Sequence, residues 1–582
     1  MDLEIHCKEF NNWHYWLVPA AVYTVLVSFL QKRKTQCVLD YKLSLNQRFG
    51  MPLPFKLLST HSNRWGFALA FGAIANVLLH TTVEVIRCLH FTPNVWAEVL
   101  VLLLMSVEVA VIHYPMFICM SVENKAVGSF LGLIYSLAWF LYQVLLTSSL
   151  QTEIPHIESS RPPPVPSLIC CSLLVLRYFY SFFKEVCMCQ THRSDDQSHR
   201  CEIPLHNIKY VKCLLQPSSP VVKPLFFRLL YDWDPCFCFP AGMITMAVLS
   251  LIGVYTILMK FLLWNNYIKD WFQGANFDEH FHIFGVIAVL LTAIVSVYHI
   301  FTIMVKYRAQ MKRLYKGDRT GLPKKFPATD DIMVRSIAYI GTQVAALMSS
   351  VAVIYLLFLA GVVAFYWIIV VPLQQKRAHE VYTLLGNILG NIIPLVALFL
   401  ILKATMYRFF LQEKLSQRDQ QKPLALKNLR ALENLRYFSL FYYVITGIVK
   451  TGGSLLIRII LGCLTMGRID RTAIPSGLPR FLDSRYWCWV SMLLVNSTHT
   501  NPTALTFCHL MLCSRFTFDP ESDWIVLPGA AVSLARRRWW LCYTLVRNPR
   551  LVFHRRPETP PIEELSPISP HSVVATSPLL HI

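Results

Sequence analysis

The chain has 582 residues and a formal net charge of +20, yet 54% of it is hydrophobic and only 15% is charged. So apolar a composition excludes an ordinary soluble domain, and cations confined to the stretches between apolar runs exclude a nucleic-acid-binding surface. The class that remains is an all-α polytopic membrane protein, whose 17 cysteines, lacking a small secreted framework, read as mostly reduced, buried thiols.

Residues 1–12 carry Asp2, Glu4 and Glu9, and the first apolar run, 13–30, is followed by Lys32, Arg33 and Lys34. A signal peptide has the reverse charge order, so the run reads as an uncleaved span with an extracellular N-terminus. Further spans are expected at about 65–86, 96–120, 128–150, 167–183, 243–264 and 281–305. Alternate connections carry the charge: 31–64 is basic, whereas 87–95 and 151–166 are not. The loops 184–240 and 306–335 are assigned to the cytosol, the second on its run of Arg308, Lys312, Arg313, Lys316, Arg319, Lys324 and Lys325. Cys7 and Cys88 fall on the outer side, where nothing in their spacing demands a bridge.

The apolar stretch 336–372 is longer than one span requires. The next run, 381–402, must return to the basic side at 403–436, so 336–372 is expected as one long or tilted helix and not as a hairpin. That leaves Lys376 and Arg377 outside. The count over residues 13–436 is nine spans.

Residues 437–466 are apolar enough for the membrane but contain Lys450, Gly452 and Gly453 between two runs of roughly 20 Å of helix each, too short to span about 30 Å. With basic residues on both flanks, the stretch is expected to enter and leave by one face as a re-entrant element that turns at those three residues. A single span with a snorkelling lysine is the alternative. Residues 467–556 then read as cytosolic, and the proline-rich 557–582 as a disordered tail.

No enzyme signature appears: there is no P-loop, no GxSxG elbow and no HExxH, so no catalytic residue and no cofactor are expected. Asp278, Glu279, His280 and His282 could present metal ligands, but acids and histidines at a helix start are more often a cap. Cys187, Cys189, His192, His199 and Cys201 are zinc-type ligands whose spacing fits no finger; lipidated or solvated cysteines are the plainer reading, and no metal site is assigned. Glu84, Glu108 and Arg177 lie inside spans, where an ionisable residue is either functional or paired with a neighbouring helix. Residues 535–556 combine Arg536, Arg537 and Arg538 with Trp539, Trp540, Tyr543, Leu545, Leu551 and Phe553, a basic amphipathic composition that suits calmodulin and an anionic membrane equally. Asn548 belongs to the same segment, and Pro549 interrupts any single helix there.

Gly467-Arg468-Ile469-Asp470, then Asp483 and Tyr486, Asn501-Pro502, Phe507-Cys508, Arg538-Trp539, Tyr543 to Leu545 and Asn548-Pro549 resemble the C-terminal region of the plasma retinol-binding-protein receptors, the vitamin A uptake receptors named for stimulation by retinoic acid. The resemblance is strongest over 439–553, with a weaker echo at 308–317. The chain has no long extracellular N-terminal extension and only a short region between Cys508 and Arg536, and so looks more like the shorter, receptor-like branch of that family.

The resemblance implies a cell-membrane homodimer of nine-span protomers, each with an intramembrane helical element. It also implies docking of holo retinol-binding protein outside, passage of retinol into an apolar cavity open to lipid, and calmodulin on residues 539–553. Within 265–280, Tyr267, Trp271, Phe272 and Phe277 are the expected aromatic anchors for the carrier, with an interfacial aromatic belt as the alternative. A ligand-dependent signalling receptor, or a transporter of another small lipid, fits the same features.

Overall fold

The computed structural model describes residues 14–31, 50, 53–54, 63–88, 95–122, 124–153, 163–191, 205–215, 237–271, 278–323, 326–413, 429–472, 483–512, 529–549 and 551. Every regular element among these residues is helical. In chain order they are α1 (Leu17–Leu30, entered through the turn His14–Trp16), α2 (Arg64–Cys88), α3 (Val95–Ile118), α4 (Lys125–Glu153), α5 (Val165–Thr191), α6 (Leu205–Leu215), α7 (Ala241–Trp271), α8 (Asp278–Tyr315), α9 (Thr329–Phe365), α10 (Ala378–Thr405), α11 (Leu429–Thr465), α12 (Ser484–His499), α13 (Pro502–Leu512) and α14 (Gly529–Arg547). The nine expected spans all fall on helices, α1–α5 and α7–α10. Among the described residues, five helical stretches are long and apolar enough to cross a membrane by themselves: Lys125–Ser148, Val165–Cys187, Ala241–Asn265, Phe281–Tyr315 and Thr329–Gln374.

The 336–372 stretch forms one helix and no hairpin, because α9 continues through a π-helical turn, Tyr366–Val370, to Gln374. The chain then reverses at Lys376, whose φ of 57° is left-handed. There the Arg377 N–H donates to the Pro372 carbonyl at 2.8 Å and the Lys376 N–H to the Leu373 carbonyl at 3.3 Å, which satisfies two carbonyls that the helix end would leave bare. At the other end of the bundle α8 stops in the same way. Gly317 takes a φ of 83°, which glycine adopts without steric cost, and the Asp318 N–H reaches the Arg313 carbonyl.

The expected turn at Lys450, Gly452 and Gly453 is not formed, since these residues lie inside the uninterrupted helix α11. Glycine in a helix costs about 1 kcal/mol. A break would instead expose up to four N–H and four C=O groups on its two sides in apolar surroundings, a larger penalty. The sequence also favours continuity. Arg436, Ser439, Tyr443, Thr446, Lys450, Ser454 and Arg458 follow one another at three- and four-residue steps, the spacing that shares one helix face. Two loop boundaries differ as well. Helix α5 continues to Thr191 and α7 to Trp271, because no glycine or proline stops either one earlier, and α6 forms inside the loop expected over 184–240.

Residues 1–198 and 219–501 make one compact unit. Its first core joins α1 to α5 around Trp139, Ile112, Met116 and Leu174, with the Trp139 ring edge-on to His113 at 4.5 Å. Helices α4 and α5 meet closely at Gly132, where a Cβ would sit 2.3 Å from the ring of buried Tyr178, whose hydroxyl donates to the Met116 carbonyl. The second core joins α7, α8, α9 and α12, with Trp489 against Tyr307 and Tyr339, and Phe261 stacked on Tyr355 at 4.1 Å. Helix α2 ties the two cores together by packing on both α5 and α7. A second unit, residues 199–218 and 502–582, holds α6, α13 and α14; α13 packs on α6 and on α14, where Phe507 meets Trp539 edge-on at 4.8 Å.

Gly132→Ala should lower the thermal midpoint of the purified protein, an overpacking loss of about 1–3 kcal/mol. Gly386→Ala, where an added Cβ meets nothing within 4 Å, should not lower it. Equal midpoints for the two variants would show that α4 and α5 do not pack at Gly132.

Candidate functional site

The loop after α11 is held on the second core by a buried ion cluster. Asp470 accepts two hydrogen bonds from Arg468, Nε to Oδ1 at 3.1 Å and Nη2 to Oδ2 at 2.9 Å, and a third at Oδ2 from Lys306 Nζ of α8 at 2.6 Å. The carboxylate is fully buried and the Arg468 side chain nearly so. Around the cluster Ile469 enters the core, and Gln343 of α9 donates to the Gly467 carbonyl at 2.9 Å. A Cβ on Gly467 would lie 2.3 Å from Ser350 Oγ and 3.0 Å from Ser350 Cβ, so a side chain there would force Ser350 to move. Asp483 then caps α12 by accepting the Tyr486 N–H, Trp489 Nε1 donates to Gln310, and Asn496 donates to the Tyr307 hydroxyl. The residues from Gly467 to Asp470, with Asp483 and Tyr486, thus fix where α11 ends and α12 begins.

Burial acts to push the Asp470 carboxyl up, but the hydrogen bonds and charges of Arg468 and Lys306 outweigh it and hold the group below the usual carboxylate range. A folded-state value below the unfolded one means that this stability is present above about pH 4 and is lost as pH falls through the depressed value.

Opposite this anchored end of α11, its first turns form one wall of an apolar cleft of about 1230 Å³. Leu432, Leu435, Arg436 and Ser439 line it from α11. Phe399, Leu400 and Lys403 line it from α10, and Met406 and Tyr407 from the π-helical turn Met406–Phe410 that follows. A pocket for one drug-sized ligand is roughly 300–1,000 Å³, so the cleft has room for a long hydrocarbon. Of the described residues in the stretch 437–466, only Ser439 is among the lining residues. The remaining wall was not singled out from the sequence, because a π turn and the gap beside it leave no compositional trace.

The other candidates fall as follows. Tyr267 and Trp271 belong to the last turns of α7, while Phe272 and Phe277 lie outside the described residues. That hairpin is closed by Asn265, which donates to the His282 carbonyl at 3.0 Å and fills the space left by Gly285. Asp278, Glu279 and His280 open α8, where acidic residues match the positive end of a helix. Glu108 is paired with His14, and Arg177 donates to Asn63 at 3.1 Å, so two of the three charges inside spans have partners on other elements. Glu84 lies on α2. Cys187 and Cys189 lie on α5, and His192, His199 and Cys201 lie outside the described residues.

In α14, Trp539, Trp540, Tyr543 and Val546 are exposed, and the Arg547 guanidinium lies over the Tyr543 ring at 5.0 Å. Arg536, Arg537, Arg538 and Leu545 belong to the same helix, which ends at Arg547 ahead of Asn548 and Pro549; Leu551 is exposed, and Phe553 lies outside the described residues.

Long apolar helices, two buried cores and an apolar cleft beside an anchored amphipathic helix mark an all-helical membrane protein. The profile of the retinol binding protein receptor family matches residues 8–278 and 279–557. A mouse protein, "Stimulated by retinoic acid gene 6 protein-like", is 32% identical over 585 residues, 93% of each chain. The chain belongs to the retinol-binding-protein receptor family.

Asp470→Asn should leave Lys306 and Arg468 facing each other without their carboxylate, at a cost of about 3 kcal/mol or more. Thermal unfolding followed at pH 7 and pH 5 should show the same loss at both values, since Asp470 is ionised at each. An Asp470→Asn protein as stable as wild type would show that the cluster does not anchor the loop.

Proposed function

We propose that the chain is a cell-surface receptor that accepts retinol from holo retinol-binding protein on the extracellular side and releases it through the cleft between α10 and α11 into the bilayer. The observation that carries this reading is the cleft itself, an apolar cavity walled by Phe399, Leu400, Leu432 and Leu435. Retinol is a hydrocarbon with a single hydroxyl, so its transfer needs no covalent step, no cofactor and no catalytic group. Removing its apolar surface from water supplies about 25 cal/mol per Å², and downstream consumption sets the direction.

The receptor is multi-pass, with its N-terminus outside and its C-terminus in the cytosol. The carrier docks at the α7–α8 hairpin, where Tyr267, Trp271, Phe272 and Phe277 supply aromatic anchors. Two protomers associate as a homodimer, the assembly that the family resemblance implies. Calmodulin binds α14 in the cytosol, supported by exposed Trp539, Trp540 and Tyr543 among arginines.

Cells expressing the chain, with surface expression matched and an intracellular esterifying enzyme supplied, should take up labelled retinol from holo retinol-binding protein above untransfected cells. Leu435→Trp, which narrows the cleft, should cut that uptake several-fold at unchanged carrier binding. Carrier binding without uptake would overturn the transport reading. For the cytosolic partner, Trp539→Ala with Trp540→Ala should abolish capture of the purified receptor on immobilised calmodulin; undiminished capture would place calmodulin elsewhere.

A further inference from the structure

The cleft carries more charge than a neutral alcohol requires. Lys403 enters its lining from α10 and Arg436 from α11, so the two cations come from opposite walls, and no carboxylate is among the described residues that line it. Between them in sequence, residues 403–436 hold eight Lys or Arg against three Asp or Glu, the bias of a membrane-surface segment that meets anionic lipid. Helix α11 adds a second, independent observation. From Arg436 onward its cations Arg436, Lys450 and Arg458 share a helix face by register, with mostly apolar residues on the other faces, a pattern that suits a helix in the plane of the headgroups. A cavity that is apolar over most of its lining, carries two cations and is larger than one drug-sized ligand needs matches an amphiphile with long chains and an anionic head.

We infer that the cleft between α10 and α11 is a binding site for an anionic glycerophospholipid, with its phosphate between Lys403 and Arg436, its acyl chains along Leu400, Leu432 and Leu435, and Ser439 Oγ available to the head as a hydrogen-bond donor. The ligand is drawn from the bilayer. A free phosphate would gain nothing from the apolar walls, which make up most of the lining. This site goes beyond retinol transfer, and its test contains neither retinol nor carrier, so the two readings fail separately.

The full-length protein is placed in phosphatidylcholine nanodiscs doped with a photoreactive phosphatidylserine or a photoreactive phosphatidylcholine of identical acyl chains, irradiated, and mapped by peptide mass spectrometry. Labelling of α10 and α11 peptides by the serine probe should exceed that by the choline probe, and Lys403→Gln and Arg436→Gln should each reduce the preference by about fivefold. Lys403→Arg and Arg436→Lys should keep it, which separates loss of charge from loss of fold. Lys316→Gln with Arg319→Gln, in the exposed basic loop after α8, should leave it unchanged. Soluble glycerophosphoserine in excess should fail to compete. Equal labelling by the two probes, a preference that survives both glutamine variants, efficient competition by the soluble head, or cross-linking of α10 and α11 to a second copy of the chain in place of lipid would each overturn the site.

Discussion

The structure depends on one buried carboxylate. Asp470 sits between Arg468 on its own loop and Lys306 on α8, so a single residue with no regular secondary structure joins the end of α11 to the core of α7, α8, α9 and α12. A buried ion pair adds little net stability over a well-packed apolar alternative, but removing one member is costly. Its value here is positional. With Ile469 in the core and Gly467 pressed against Ser350, the chain can pass from the amphipathic α11 to the buried α12 at one place only. The first turns of α11, more than 20 residues from this anchor, line the cleft together with α10.

This arrangement separates two kinds of helix. Helices α7, α8, α9 and α12 bury large aromatic and aliphatic side chains against one another. Helices α10 and α11 expose theirs, from Tyr382 and Leu385 through Phe399 to Leu456 and Ile459. In water such surfaces would drive aggregation; in a bilayer they cost little, since hydrocarbon tails are as apolar as leucine. The well-packed helices serve as a frame, and the lightly packed pair beside them encloses the cleft. Its floor includes a π turn, an irregularity that membrane proteins tolerate where backbone groups stay satisfied.

Much of this was legible in the sequence, because helices are written locally. Each apolar run between 13 and 402 is helical, and a stretch as long as 336–372 had to be one helix once the charges on either side were counted. The residues of the family motif were visible too, but their work was not. Lys306 is 164 residues from Asp470, and nothing in either neighbourhood announces the other. The turn expected at Lys450, Gly452 and Gly453 gave too much weight to two glycines and too little to the stepping of polar residues from Arg436 to Arg458, which identifies an amphipathic helix. The cleft could not be read at all, since it is a gap between helices whose separation is set by contacts made elsewhere.

The length of α9 has a mechanical side. With its continuation to Gln374 it spans 46 residues, about 69 Å of rod at 1.5 Å per residue and more than twice the thickness of a hydrocarbon core. Its buried residues lie between Tyr339 and Tyr355, so the grip of the bundle is off-centre, and the longer arm, which touches Phe284 of α8 through Tyr366, carries Phe365, Trp367 and Leu373 exposed. A rod clamped off-centre is a lever. Rocking by about 5° at the clamp sweeps a far end about 30 Å away through roughly 2.5 Å, half the pitch of a helical turn. Helix α10 is hinged directly to that far end at Lys376, so a displacement too small to disturb the clamp would be handed on, enlarged, to the first turn of α10.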